Sequence, residues 1–229
     1  MDFEKMSQKA REFRQREQDI LQAALALFLH HGEEKVTVEM IAEKVGIGKG
    51  TIYKHFETKN EIYLRLMIDY EEELAAKLRR VSQALDAQLL MREYFRFRMA
   101  DPARYSLFDR LETKCIADGA VPELLQALHE IRAENLETLT KVVRARIDAG
   151  ILVDRPAYFH LCAAWALVHG TVALSQSDFF KQHIPEPDRF FEFMMDVGVR
   201  LGVRMKFDEG DKDVRGGSSE TSSETTWVD

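Results

Sequence analysis

Apolar residues return along this chain at intervals of three and four, in runs long enough for helices. No run alternates with the period of two that a half-buried strand requires. Capping residues and breakers divide the pattern. A first helix is predicted over about 11–30, and two short ones over 38–45 and 48–55. A fourth opens near Lys59 and runs to about Ala87, with Ile62, Leu66, Tyr70, Leu74 and Leu78 as its apolar ridge. Others follow over about 88–99, 103–117 and 122–149, the last closed by Gly150. Asp154 is placed as the cap of an uncharged helix with Pro156 in its first turn, and Glu186-Pro187 opens a final helix to about Met205. No repeat of 20–50 residues recurs. The fold class is all-α.

The two short helices carry the most specific pattern. Thr37 is a good N-cap for a helix whose Val38, Ile41, Ala42 and Val45 share one face, and Gly46 is suited to end it. In the second helix Ile52 and Phe56 lie four apart on the buried side. Lys49, Thr51, Tyr53, Lys54 and His55 are left off that stripe, all able to donate hydrogen bonds to phosphates or base edges. Gly48 and Gly50 at a helix start cost roughly 1 kcal/mol each against alanine. Close approach of backbone N–H groups to a phosphate gives them a purpose. A short helix, a glycine turn and a donor-rich second helix is the helix-turn-helix arrangement, whose second helix enters the major groove.

The segment from about Ile20 to Tyr63 resembles the DNA-binding domain of the tetracycline-repressor (TetR) family of bacterial transcription regulators. The resemblance is carried by Ala24, Leu27, Phe28 and Gly32, then Thr37, Ile41, Ala42, Val45 and Gly46. It continues through Gly50, Thr51, Ile52, Tyr53, His55, Phe56, Lys59, Ile62 and Tyr63. It implies backbone phosphate contacts from Thr37 and Lys59, a dimer on palindromic operator DNA, and release by a small-molecule effector. It also implies two parts, a DNA-binding domain over 1–62 with an N-terminal extension and a helical effector and dimerisation domain over 63–206, while the polar, low-complexity composition of 207–229 points to a disordered tail.

Charge refines this reading. Residues 1–60 hold ten Lys+Arg and ten Asp+Glu, while residues 61–229 hold 22 and 29, so the net charge of −7 lies outside the DNA-binding part. Affinity for DNA must then come from a localised basic surface. Lys9, Arg11, Arg14 and Arg16 extend that surface as an arm or form a solvated first turn. The cluster GIGKGT (46–51) is not a phosphate-binding P-loop, because Lys49 is followed by Gly50, and the G-x-G-x-x-G pattern fails at Thr51. No cofactor is expected.

The resemblance places an effector pocket where aromatic and apolar side chains crowd, around Tyr94, Phe97 and Tyr105. The candidates are Tyr70, Phe95, Met99, Phe108, Leu111, Cys115, Trp165 and His169. With few fixed charges in these helices, a mostly apolar or aromatic effector is expected. The dimer is expected from the last two helices, through Trp165, Val168, Val172, Phe190, Phe193, Met194, Val197 and Leu201, with Gly170, Gly198 and Gly202 permitting close approach. Residues 156–177 lack Lys, Arg, Asp and Glu and approach the length of a membrane span, but their His, Ser, Thr and Gln content points to a helix buried between core and partner, with no membrane. Cys115 and Cys162 read as small buried hydrophobes of a reducing, cytoplasmic setting. No His follows a Glu by three residues, which argues against a di-iron enzyme. The alternative is an effector-independent helix-turn-helix interaction or architectural protein.

Overall fold

The computed structural model describes residues 7–82, 87–118 and 121–204, which form helices and connections with no strand among them. The first helix, α1 (Gln8–His31), starts earlier than its apolar pattern because the Ser7 hydroxyl accepts the Ala10 amide at 3.3 Å. Its inner face, Ile20, Ala24 and Phe28, is buried. Helix α2 (Val38–Val45) begins where Thr37 Oγ1 accepts the Met40 amide. It ends at Gly46, whose φ of 75° and ψ of 35° would strain any side chain. Helix α3 (Lys49–Ile52) is a single turn, shorter than the pattern predicts. With glycines at 48 and 50, residues 53–55 continue it only as a turn, in which the His55 and Phe56 amides both donate to the Ile52 carbonyl at 2.9 Å.

Helix α4 (Lys59–Ser82) leaves this small bundle and becomes the axis of the larger one. Its ridge of Ile62, Leu66, Leu74 and Leu78 is buried. Around it stand α5 (Ala87–Met99), α6 (Pro102–Ala117) and α7 (Pro122–Asp148), with α7 packed along most of α4. Helix α8 (Ala157–Gln176) closes the bundle across α5, α6 and α7. Pro156, not Asp154, stands at its cap position, without a side-chain hydrogen bond. A one-turn α9 (Asp178–Lys181), which the pattern does not indicate, precedes α10 (Pro187–Arg200).

Two glycines explain how α10 docks. A Cβ on Gly198 would stand 2.4 Å from the Phe95 ring, so α10 lies on α5 only because that side chain is missing. Gly202, at φ 73°, turns the chain back so that Val203 pairs with Leu152 in an isolated antiparallel bridge. Both glycines therefore serve approach within the chain. The tail expected over 207–229 lies outside the described residues.

Helix α8 departs most from expectation. Leu161, Ala164, Val168, Thr171 and Val172 face the core, but only 28% of its most apolar stretch is buried in the subunit. The stripe opposite, Phe159, Cys162, Ala163, Ala166 and Gly170, is exposed.

Candidate nucleic-acid surface and ligand cavity

Gly46 reverses the chain and sets the single turn of α3 across the end of α2. Ile52 points inward at 0% exposure, so its neighbours are forced out. Gly48, Lys49, Gly50, Tyr53 and Lys54 are exposed together, with Thr51 half-buried among them. Tyr53 is 46% exposed, and Lys49 Nζ stands 5.7 Å from its ring centroid. Lys49 is also ion-paired with Glu39 of α2. Their shared hydrogen bond is the main cause that raises the Lys49 pKa and lowers that of Glu39.

Three predicted contacts are placed differently. Thr37 is exposed, but its hydroxyl is used as the α2 cap. The His55 side chain is only 5% exposed; its ring lies 4.0 Å from that of Phe13, and Nδ1 is 3.9 Å from Glu17. The buried stripe of α3 extends one residue further round the turn than a regular helix would carry it, and this captures the imidazole. Lys59 turns inward, donating from Nζ to the Glu33 carbonyl at 2.6 Å and sitting over the Phe28 and Tyr63 rings. Burial lowers its pKa.

The Glu33 segment also binds the larger bundle. Tyr63 Oη donates to the Glu33 carbonyl at 3.3 Å. Arg110 of α6 grips the Glu33 carboxylate at both oxygens, at 2.9 and 3.2 Å, and Lys114 reaches Glu34 at 2.9 Å. The Arg110 hydrogen bond holds the Glu33 pKa below the ordinary carboxylate value despite burial. One face of α6 is thus clasped to the loop after α1.

The opposite face of α6 lines a cavity of about 340 Å³ between α4, α5, α6, α7 and α8. Met67, Met91, Tyr94, Phe108, Leu139 and Leu161 form much of its wall. Its floor is ionic. Glu71, 3% exposed at the side chain, accepts from Arg98 Nη2 at 3.0 and 2.8 Å, from Arg132 Nε at 3.3 Å and from Asn135 Nδ2 at 3.3 Å. Arg132 continues to Glu112. Burial opposes the Arg98 charge, but Glu71 outweighs it, and the guanidinium titrates above its ordinary value. At the rim Trp165 Nε1 donates to Tyr105 Oη at 3.2 Å, and that hydroxyl lies 2.7 Å from His169 Nδ1.

Of the predicted ligand residues, Tyr70, Phe108, Trp165 and His169 line this cavity. Phe95, Met99, Leu111 and Cys115 do not; each is core, at most 4% exposed. Phe95 packs on Gly198, and burial pushes the Cys115 thiol up to about 11. The ionic floor escaped the sequence reading, and the expectation of few fixed charges does not describe it. A signal was present. Glu71 interrupts the apolar stripe Met67, Leu74, Leu78, and Arg98 does the same to Met91, Tyr94, Phe95.

The dimer residues also need revision. Val168 and Val172, at 0% and 2% exposure, have no surface to offer a partner. Phe193 and Trp165 are exposed, and Phe190, Met194, Val197 and Leu201 are half-buried. Cys162 is exposed rather than buried. Among the described residues, no group of three or more His, Cys, Asp or Glu is placed to hold a metal ion.

Comparison with known proteins follows this division. Residues 20–66 match the family described as bacterial regulatory proteins, tetR family, and residues 87–197 match the tetracyclin repressor-like C-terminal domain. The chain is 35% identical over 102 residues to the HTH-type transcriptional repressor AcnR of Corynebacterium diphtheriae, covering 44% of this chain and 50% of that one. It is 36% identical over 70 residues to the HTH-type transcriptional regulator TcmR of Streptomyces glaucescens, 31% of each. The chain therefore spans half or less of the length of these relatives. The fold matches that of the TetR family transcriptional regulator PfmR from Thermus thermophilus, with a TM-score of 0.63 at 20% identity, over 79% of this chain and 97% of the other.

Proposed function

Because the chain belongs to the tetR family of bacterial regulatory proteins, we propose that it is a cytoplasmic repressor that grips a palindromic operator as a dimer and releases it when a small molecule fills the cavity. One observation carries the DNA reading. Gly48, Lys49, Gly50, Tyr53 and Lys54 are exposed together on a turn whose inner residue, Ile52, is wholly buried. The domain has donors and an aromatic face there, left exposed by the described residues. Helix-turn-helix proteins set such a turn in the major groove, twice, about 34–36 Å apart.

The exposed stripe of α8 and Phe193 of α10, 62% exposed, support two-fold association. A partner covers this apolar face better than lipid does, since Trp165 and His169 beside it hold polar contacts to Tyr105. Phe193→Glu should leave a monomer by sedimentation.

For the ligand, the apolar wall supports a mostly apolar compound. The two arginines and two glutamates of the floor neutralise each other, so a net charge on the ligand would enter a poorly solvated site without a counter-ion. Occupancy pushes on α6, whose other face holds Glu33 and Glu34 through Arg110 and Lys114. Coupling of this kind is typically about 1–3 kcal/mol and reciprocal.

The test is selection of duplexes from a random library by the full chain, followed by thermal melting with neutral aromatic compounds and their carboxylate and ammonium counterparts. Enrichment of a palindrome, with the largest stabilisation from neutral compounds, is expected. A ligand that binds equally with and without the selected duplex would rule out release by that ligand.

A further inference from the structure

We propose that the end of α7 carries a small-anion site, in which the Arg146 guanidinium holds a monatomic anion of chloride size between α7, α8 and α10. The inference depends neither on the DNA-binding reading nor on the effector reading above.

The arginines drawn into the larger bundle are otherwise matched. Arg98 is held by Glu71, Arg132 by Glu71 and Glu112, and Arg104 by Glu73. Arg146 stands in the last turn of α7 at 6% exposure. Among the described residues no carboxylate pairs with it, and no group accepts a hydrogen bond from its side chain. Its main-chain carbonyl is taken by the Ile151 and Leu152 amides, at 2.9 and 3.2 Å, which folds the following loop over this turn. Burial, with no charge set against it, lowers the Arg146 pKa. A buried charge in a folded protein is ordinarily paired, because leaving one uncompensated is strongly destabilising.

Room for a counter-ion is present. A void of about 20 Å³ lies against Arg146, walled by Val143 of α7, Ala164 of α8, Leu201 at the end of α10, and Leu152. No Asp or Glu lines it, and the one other polar side chain is His160, whose Nε2 stands 3.1 Å from the Val153 carbonyl. A void of about 10–15 Å³ is enough for one water. This one therefore admits a single small particle, and a polyatomic anion such as sulfate does not fit. Water would fill the space but leave the guanidinium charge in place. A chloride ion needs little more room and neutralises it, and the apolar walls screen that attraction poorly. Bound there, the ion ties the last turn of α7 to α8 and to the end of α10.

The experiment is thermal melting of the full chain and its Arg146→Met and Arg146→Gln variants in potassium chloride, gluconate and sulfate at equal ionic strength. Comparing each variant with the unaltered chain in the same salt cancels the general effect of that salt on burial. In chloride at about ten times its dissociation constant, the unaltered chain should melt about 3–5 °C higher than in gluconate, and both variants should lose that gain. Sulfate should act as gluconate does. In gluconate Arg146→Met should melt at or above the unaltered chain, because an apolar side chain replaces an uncompensated charge. Arg146→Gln keeps the comparison decisive should Arg146→Met not fold. Equal melting of the unaltered chain in chloride and gluconate would overturn the proposal and leave the void to water. A chloride gain that persists in Arg146→Gln, or that sulfate matches, would overturn it equally, since the ion would then bind elsewhere.

Discussion

Glu71 and Lys49 are charged residues at the centre of the two proposed binding regions, and the regions treat charge in opposite ways. Glu71 is closed off and engaged by three side chains from α5 and α7. Lys49 and Glu39 meet on the surface, with side chains 48% and 58% exposed. Taking Glu71 out of water is tolerable only because every lone pair is matched, and its position is therefore rigidly determined. The surface pair lost little hydration in forming, so exchanging Glu39 for another anion costs little. The cavity floor is fixed by its matched pairing, while the surface pair at the proposed recognition turn is free to change partners. The Glu33–Arg110 clasp, buried at one end and exposed at the other, lies between these extremes.

The sharpest way to break this comparison is to remove the buried anion. Glu71→Ala leaves Arg98 facing an apolar cavity without its counter-ion and Arg132 with Glu112 alone, a change that costs about 3–5 kcal/mol in comparable buried networks. Urea denaturation should register it as a shifted midpoint with the slope preserved. Replacing Glu71 and Arg98 together by apolar residues of similar volume should recover most of the loss, because the desolvation cost disappears with the charges and Arg132 keeps Glu112. A loss under about 1 kcal/mol for Glu71→Ala would mean that the floor is solvated in solution, and the contrast with Lys49 would collapse.

A smaller effect is expected at the clasp. Glu33→Gln keeps the shape and removes the charge that Arg110 holds; with Arg110 half exposed, about 1–2 kcal/mol should be lost at neutral pH. The sign of its pH dependence follows from the direction of the shift. Arg110 lowers the Glu33 pKa, so the folded chain binds that proton more weakly than the unfolded chain. The stabilisation is complete above the unfolded value of about 4.5 and is lost as pH falls through the lower folded value. The difference between the unaltered chain and Glu33→Gln should be level from pH 6 to 8 and shrink below about 4.5. A difference that grows on acidification would assign the effect to another group. If the clasp couples the cavity to the recognition turn, Glu33→Gln should also reduce the effect of any ligand on DNA binding.

The same comparison explains what was legible in the sequence. The recognition surface is local: Thr37, Gly46, Ile52 and Tyr53 lie within 17 residues, and caps, periodicity and glycines describe its geometry almost unaided. Even there, the pattern could not show that His55 packs on Phe13, 42 positions earlier, or that Lys59 folds onto Glu33. The cavity is non-local. Arg98 and Arg132 stand 27 and 61 positions beyond Glu71, and each looks like an ordinary helix charge until α4, α5 and α7 are brought together. For the same reason, periodicity identified α8 as apolar but not which of its faces Val168 occupies. That depends on where the bundle stands.

The smallest structural effect and the most informative functional one belong to Glu39→Gln. Removing this exposed carboxylate should leave the melting temperature within a degree or two, because surface pairs contribute little to stability. DNA binding should nonetheless tighten. Glu39 now competes for Lys49, lowered in its own pKa by that pairing, and its exposed charge would repel a phosphate brought to Lys49. Without it Lys49 meets the backbone without a competing anion, so affinity for a selected duplex should rise several-fold at low salt and the advantage should fade as salt screens both interactions. The reverse result, weaker binding in Glu39→Gln, would mean that Glu39 positions Lys49 for contact rather than occupying it. The surface pair would then be as fixed in role as the floor around Glu71, and the division between a changeable recognition turn and a rigid cavity would have to be abandoned.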